Sequence, residues 1–339
     1  MKFGPVPVAD AQGAILAHSE IAADPSAPQS LTYKIPKGTK LTADHVRDLG
    51  AVGLREVVVA RLGPADVHED GAASRLAEAL GEKGAGLEIG SAARGRVNIR
   101  AACAGVVELN AARINAVNRI DPGITIATVP EWQRMAARGL IATIKIIPYS
   151  VDEHALAAAC EHARASLTLR RPEIASATLI ETQIGENTPG EKGRGAIHDR
   201  LARFGVMLSE RVIVPHRRDA IAAALRSAPG EMLLILTGSA TSDTNDTAPE
   251  AVRAAGGTVR HYGMPVDPGN LLFIGALSGK CVIGLPGCAR SPALNGADWV
   301  LERAICGVDV SPDDIMGMGV GGLLKEIPSR PQPRERQRS

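Results

Sequence analysis

Rings are scarce in this chain of 339 residues, which has two Trp, three Tyr and three Phe. Single-stranded nucleic acids are held largely by stacking on aromatic side chains, so the platforms for such a partner are missing. An excess of charge is missing too, because 38 Lys and Arg stand against 37 Asp and Glu. A formal net charge of +1 gives no long-range attraction to nucleic acid or to an anionic membrane surface. No apolar run reaches the roughly 18 residues of a spanning helix. The N-terminal MKFGPVPVADAQGAILAH is broken by Gly4, Pro5 and Pro7, where a secretory signal needs an unbroken apolar stretch. The five cysteines, 103, 160, 281, 288 and 306, are odd in number and form no CxxC pair, which argues against a disulfide framework or a zinc site. A cytoplasmic protein with an aliphatic core and reduced thiols is expected. GxxxxGK[ST] and GxSxG are absent as well, and His68-Glu69 lacks the second histidine of a zinc peptidase, so three common enzyme signatures are not here.

What the chain does have is the composition of a globular protein, 45% hydrophobic and 22% charged, at a length that suggests two domains. Ser150 followed by Glu153 has capping-box spacing ahead of an Ala-rich run, so a connecting helix is expected over 150–167. From 168 to 312 strands and helices alternate: Ile174 to Ile180, GAIHDRLARFG, VMLSERVIVP, RRDAIAAALRSA, then EMLLILTG, whose unbroken apolar run suits a buried parallel strand. A short helix over APEAVRAAGG, a strand near Thr258 to Tyr262, the runs LLFIGA and CVIGLPG and a helix from about Ala293 to Ile305 complete the pattern. Such alternation gives a three-layer α/β domain with a mostly parallel sheet. Residues 1–149 offer short strand-like pieces and two helices, one after a Thr42 cap and one running toward Leu80, and are expected to be α+β. Residues 313–339 end in EIPSRPQPRERQRS, the composition of a tail or linker.

In open α/β sheets ligands gather where loops leave the carboxyl ends of strands, which selects 182–195, 238–247 and 287–296. The middle loop runs from Gly238 through Ser239, Ala240, Thr241, Ser242 and Asp243 to Asp246, just before a helix start. Small residues let backbone N–H groups approach an anion, and Asp243 and Asp246 could hold hydrated Mg²⁺ against a phosphate. The plain alternative is a helix cap at Asp246 or Thr247. In the first loop Glu191 offers a carboxylate and Lys192 a cation that either meets phosphate or is simply solvated. In the third, Arg290 is a fork for phosphate or carboxylate, Ser291 suits a helix cap, and Cys288 reads as a small buried thiol rather than a nucleophile.

Together the three loops resemble the molybdopterin-binding fold shared by molybdopterin adenylyltransferases and molybdenum insertases. TGSATSDTNDTAPEA is similar to a family pattern of TGGTG, a short variable stretch, Asp, and a Thr-Pro-Glu/Asp-Ala helix start, agreeing at Thr237, Gly238, Asp246, Pro249, Glu250 and Ala251. Glu191-Lys192-Gly193 stands where adenylyltransferases carry Asp-Lys-Gly. Gly284-Leu285-Pro286-Gly287, with Pro268-Gly269 ahead of it, resembles the Leu-Pro-Gly-Asn-Pro loop of insertases. The chain departs from these patterns at Ser239, Ala240 and Thr241, at Glu191 in place of Asp, and at Cys288 in place of Asn. MKFGPVPVADAQGAILAH, ATIKIIPY, GMPVDPGN and MGVGGLLKEIPSRPQPRE resemble the segment that precedes a fused molybdenum cofactor nucleotidyltransferase domain in some members. With no GGxSxRMG loop present, a free-standing version is expected.

The resemblance implies a protein of molybdenum cofactor biosynthesis whose domain over 168–312 binds molybdopterin or a nucleotide derivative of it. Adenylyl transfer or molybdate insertion, with Mg²⁺ and ATP or CTP, is the chemistry that goes with it. The alternative is a non-enzymatic carrier that passes the pterin to a nucleotidyltransferase or an apo molybdoenzyme. Under the first reading Asp246, Glu191 and Asp243 are catalytic, and Asp246 and Glu191 also hold the metal. Thr237, Gly238, Ser239, Ala240, Thr241, Lys192, Gly193, Pro286, Gly287, Cys288, Arg290 and Ser291 then bind the pterin or its phosphate. A homo-oligomer is expected, with neither nucleic acid nor membrane as partner.

Overall fold

A computed structural model describes residues 1–25, 31–81, 85–186 and 188–324. Of residues 313–339, assigned above to a tail or linker, those from 325 on lie outside the described residues, whereas Pro312–Met316 forms a short helix and Ile315 and Met318 are buried. The chain divides into two compact units, the first comprising Met1–Ala102, Val107–Gln133 and Ala137–Leu169. The second takes in Cys103–Val106, Arg134–Ala136 and the described residues from Arg170 on. Among the described residues no helix is long and apolar enough to cross a membrane.

The first unit holds antiparallel sheets and helices. Lys2–Pro7 and Ile15–Leu16 flank Glu56–Arg61, while Ile124–Thr128, Leu140–Ile146, Arg96–Ala101 and Leu87–Ile89 form a second sheet in that order. Along Arg96–Ala101, Val97, Ile99 and Ala101 are buried while Arg96 and Arg100 are exposed, the alternation of a sheet covered on one face. Helix Glu69–Leu80 supplies the cover, burying Ala72, Ala73, Leu76, Ala77 and Leu80 along one stripe. His68 is the N-cap of that helix, its Nδ1 accepting the Asp70 N–H at 3.3 Å.

The helix expected to open after Ser150 is capped elsewhere. Ser150–Asp152 pairs with Asp66–His68, which keeps the chain extended past Ser150. The cap therefore passes to Asp152, whose carboxylate accepts the N–H groups of His154 and Ala155. The helix runs Glu153–Ala163 and packs on Glu69–Leu80 and on Ala111–Val117 within the first unit.

The second unit is an α/β domain on a seven-stranded sheet. Ser176–Gln183, Met232–Leu236 and Lys280–Leu285 are parallel neighbours at its centre. Every residue of Met232–Leu236 is buried, which is why its sequence shows no polar alternation. Phe273–Leu277 and Thr258–Tyr262 extend one side antiparallel. On the other side VMLSERVIVP forms two strands rather than one, Met207–Leu208 and Val212–Pro215, both parallel to Ser176–Gln183. Helices Arg218–Ser227 and Thr247–Ala254 pack together, contributing Ile221, Leu225, Ala251 and Val252 to the core.

Gly284 shows how tightly this sheet is packed. It lies opposite Phe273 in the ladder, and a Cβ at 284 would fall 1.9 Å from a carbon of the Phe273 ring. That ring is 1% exposed, so it has nowhere to turn. Gly284→Ala should cost about 1–3 kcal/mol through overpacking, read as a lower urea midpoint with an unchanged slope. An unmoved midpoint would mean the ring can yield.

Candidate functional site

The strand order reverses beside Ser176–Gln183. From that strand the chain passes through helix Glu191–Ala202 to the short edge strands, then through helix Arg218–Ser227 to Met232–Leu236 on the opposite side. Loops leaving neighbouring strands at such a reversal diverge and open a crevice at the carboxyl ends. A cleft of about 730 Å³ lies there, and all three loops line it.

One part of the cleft is cationic. Helix Glu191–Ala202 begins at Gly190, and among the described residues no side chain caps it, which leaves the positive end of its dipole facing the loop. Lys192 is exposed in its first turn. Arg290 Nη2 donates to the Thr237 carbonyl at 2.6 Å, and its stem packs so close that a Cβ on Gly193 would lie 3.2 Å from Arg290 Cγ. Ile184, 52% exposed, and Pro189 give the cleft an apolar side.

Glu181 also lines the cleft although it is only 1% exposed. A carboxylate buried at the end of an apolar strand needs a countercharge, and Arg211 supplies it. Arg211 Nε donates to Glu181 Oε2 at 2.7 Å and Nη2 to Oε1 at 3.2 Å. The same guanidinium pairs with Glu191 and donates to the Pro189 carbonyl. Three points of the cleft rim are thus tied by one side chain.

The middle loop is pinned at both ends. Thr182 Oγ1 accepts the Gly238 N–H at 2.7 Å and lies 2.9 Å from His216 Nδ1. A Cβ on Gly238 would fall 2.7 Å from the Thr182 carbonyl oxygen, so the close approach excludes any larger residue. At the other end the Tyr262 hydroxyl donates to the Thr241 carbonyl at 2.9 Å. Of the two readings of Asp246, the observed position is the cap of helix Thr247–Ala254. Its Oδ2 accepts the Ser242 N–H at 2.9 Å and its Oδ1 the Thr247 N–H at 2.6 Å. The Ser242 N–H, with the Thr247 N–H behind it, holds this carboxyl below the usual range. Asp243 is exposed and accepts the Asn245 N–H at 2.7 Å.

The third loop takes its shape from Arg200, which is buried. Its Nη1 donates to the carbonyls of Ala196 and Ala289, both at 3.0 Å, and its Nη2 to Ser291 at 2.8 Å and Ala293 at 3.0 Å. It also pairs with buried Asp298, which accepts the Asn295 N–H at 2.8 Å in the capping box of helix Gly296–Ile305.

Of the residues singled out from the sequence, Lys192, Gly193, Gly238, Gly287, Cys288, Arg290 and Ser291 line the cleft. Thr237, Thr241 and Pro286 are buried, and Ser239 and Ala240 are exposed. Glu191 and Asp246 are turned to Arg211 and to the helix cap. Among the described residues no group of three His, Cys, Asp or Glu side chains is placed to hold a metal ion. Sequence reading missed Glu181, Arg211 and Arg200. A usable signal existed for the first, because a carboxylate inside ATLIETQ demands a buried cation somewhere else in the chain.

A family model described as a probable molybdopterin binding domain matches residues 183–304. No curated protein matches the chain. Among solved structures, the chain is similar to a molybdopterin biosynthesis moeA protein from Pyrococcus horikosii, with 12% identity over 94% of this chain and 76% of that one and a TM-score of 0.28. It is similar to a molybdenum cofactor biosynthesis protein B at 15% identity, over 40% of this chain and 96% of that one, with a TM-score of 0.29. A CinA protein of unknown function from Thermoplasma acidophilum shares 17% identity over 34% of this chain and 90% of that one, with a TM-score of 0.29.

Proposed function

We propose, from the premise that residues 183–304 match a molybdopterin binding domain, that this chain binds molybdopterin or a nucleotide derivative of it within the segment 168–312 and acts in molybdenum cofactor biosynthesis. The observation that carries the reading is the two-sided chemistry of the cleft, apolar at Ile184 and Pro189 and cationic at Lys192, Arg290 and the uncapped helix start. Molybdopterin joins a flat heterocycle to a phosphate. In this reading the helix N-terminus, Lys192 and Arg290 hold the phosphate, Ile184 and Pro189 meet the ring, and Gly193, Gly238 and Gly287 let backbone come close. Thr237 holds Arg290 in place, while Asp243 and Asp246 shape the middle loop.

A carrier role is favoured over catalysis by one observation: Glu191 and Asp246 each already have partners within the fold. Glu191 pairs with Arg211, and both oxygens of Asp246 accept backbone N–H groups. Such a carrier would work in the cytoplasm as a homo-oligomer and hand its pterin to a nucleotidyltransferase or an apo molybdoenzyme.

Fluorescence and mass analysis of pterin on the purified protein, before and after addition of Mg-ATP and molybdate, tests both statements. Bound and chemically unchanged pterin is the expected result, and an adenylylated or metal-loaded product would establish an enzyme instead. Lys192→Ala and Arg290→Ala should each weaken pterin binding about tenfold, the size of one charge-assisted hydrogen bond. Full affinity in the double variant would remove the cleft from consideration.

A further inference from the structure

Family resemblance brings Mg²⁺ to this cleft, with Glu191 and Asp246 as its ligands, and the side chains present do not fit that assignment. Mg²⁺ demands near-octahedral oxygens at about 2.0–2.1 Å, which requires carboxylate lone pairs free to turn toward it. Asp246 turns one oxygen to the Ser242 N–H and the other to the Thr247 N–H, which fixes its carboxylate as the helix cap. Glu181 and Glu191 converge instead on the guanidinium of Arg211, which also takes the Pro189 carbonyl. Four of the five guanidinium N–H groups are used in this way, on two carboxylates and a carbonyl, the oxygen types that a hard cation would otherwise collect.

We infer that Arg211 stands in the place of a divalent cation at this end of the cleft, so that the chain holds an anionic ligand without Mg²⁺. The charges agree with this. Among the charged side chains that line the cleft, Glu181 is set against Lys192 and Arg290, so the cleft keeps one positive charge with no metal added. Arginine stays protonated throughout the working range, so this cation does not depend on metal supply. The inference goes beyond the pterin reading and does not need the ligand to be a pterin.

It also says what removal of Arg211 does. Arg211→Ala leaves the Glu181 and Glu191 carboxylates and the Pro189 carbonyl converging on the vacated position, and three oxygens with open water positions suit Mn²⁺ or Mg²⁺.

Two measurements on the full chain test this. Manganese alone is titrated against the wild-type protein and against Arg211→Ala by electron paramagnetic resonance, with circular dichroism to verify folding. Wild type should bind no stoichiometric Mn²⁺, and Arg211→Ala should acquire one site that Glu181→Gln in the same chain abolishes. A tight Mn²⁺ site in wild type that Glu191→Gln removes would overturn the inference. So would a folded Arg211→Ala chain that gains no site. Should that variant fail to fold, the wild-type titration decides. Calorimetry with inorganic phosphate then compares EDTA with Mg²⁺, and affinities within about twofold are expected. A tightening of about tenfold by Mg²⁺ would also overturn the inference, whereas no phosphate binding in either buffer would count against the anion-binding reading and leave the Mn²⁺ result to judge this one.

Discussion

Arg200→Met should destabilise the second unit by about 3–5 kcal/mol, the cost of leaving one member of a buried ion pair without its partner. Methionine fills much of the same volume and restores none of the donors. Asp298, 2% exposed, would keep its negative charge with no cation beside it, and the carbonyls of Ala289, Ser291 and Ala293 would each lose a donor. Urea denaturation should show the loss as a lower midpoint. Asp298→Asn in the same chain should recover part of it, because an amide oxygen still accepts the Asn295 N–H and no charge is stranded. The Gly287–Ser291 turn should loosen as well, so phosphate affinity should fall even below the temperature at which the variant unfolds. A single variant as stable as wild type would show that water takes over the bonds of Arg200.

A second large effect is expected from pH. Glu302 sits in the helix Gly296–Ile305, and burial, with Asp298 one turn away adding its like charge, pushes its carboxyl from an ordinary 4.5 up to about 7. Arg134 Nε lies 3.1 Å from Oε1, and Arg134 and Arg203 only partly oppose the rise. The folded state therefore holds a proton that the unfolded chain has already released. Stability from this group is fully present below about pH 4.5 and is lost as pH rises through about 7. The loss is on the order of 3 kcal/mol. Glu302→Gln should flatten the stability profile between pH 5 and 8 and leave the variant more stable than wild type at the upper end. Parallel profiles would mean that Arg134 keeps Glu302 ionised throughout.

Much of the second unit was legible because its signals are local. Met232–Leu236 and Lys280–Leu285 announce themselves as apolar runs, and the Asp246-to-Pro249 start carries its own cap within a few residues. The two short edge strands look like a single strand in the sequence because the break at Ser209 depends on a bond to Thr178, a partner on another strand. Ser150 has the spacing of a cap but does not serve as one for the same kind of reason, since the pairing of Ser150–Asp152 with Asp66–His68 moves the cap to Asp152. The cleft loops could be chosen from strand ends alone. What their acids do could not, because it depends on Arg211 and Arg200, whose partners lie up to 98 positions away in the chain. Propensity and spacing do not carry information over that distance, whereas the electrostatic cost of a carboxylate in an apolar strand does.

The two anchors of the middle loop bear on how such a cleft changes over time. Gly238 is clamped to Thr182 at one end and Thr241 to Tyr262 at the other, while Ser239 and Ala240 between them are exposed and have no part in the sheet ladder. Mutation can therefore sample new side chains at these two positions without disturbing the angle at which the loop enters or leaves the sheet. A library confined to 239 and 240 would vary the exposed surface beside Gly238 on a scaffold whose folding it leaves untouched, so these two positions offer room for drift without damage to the fold.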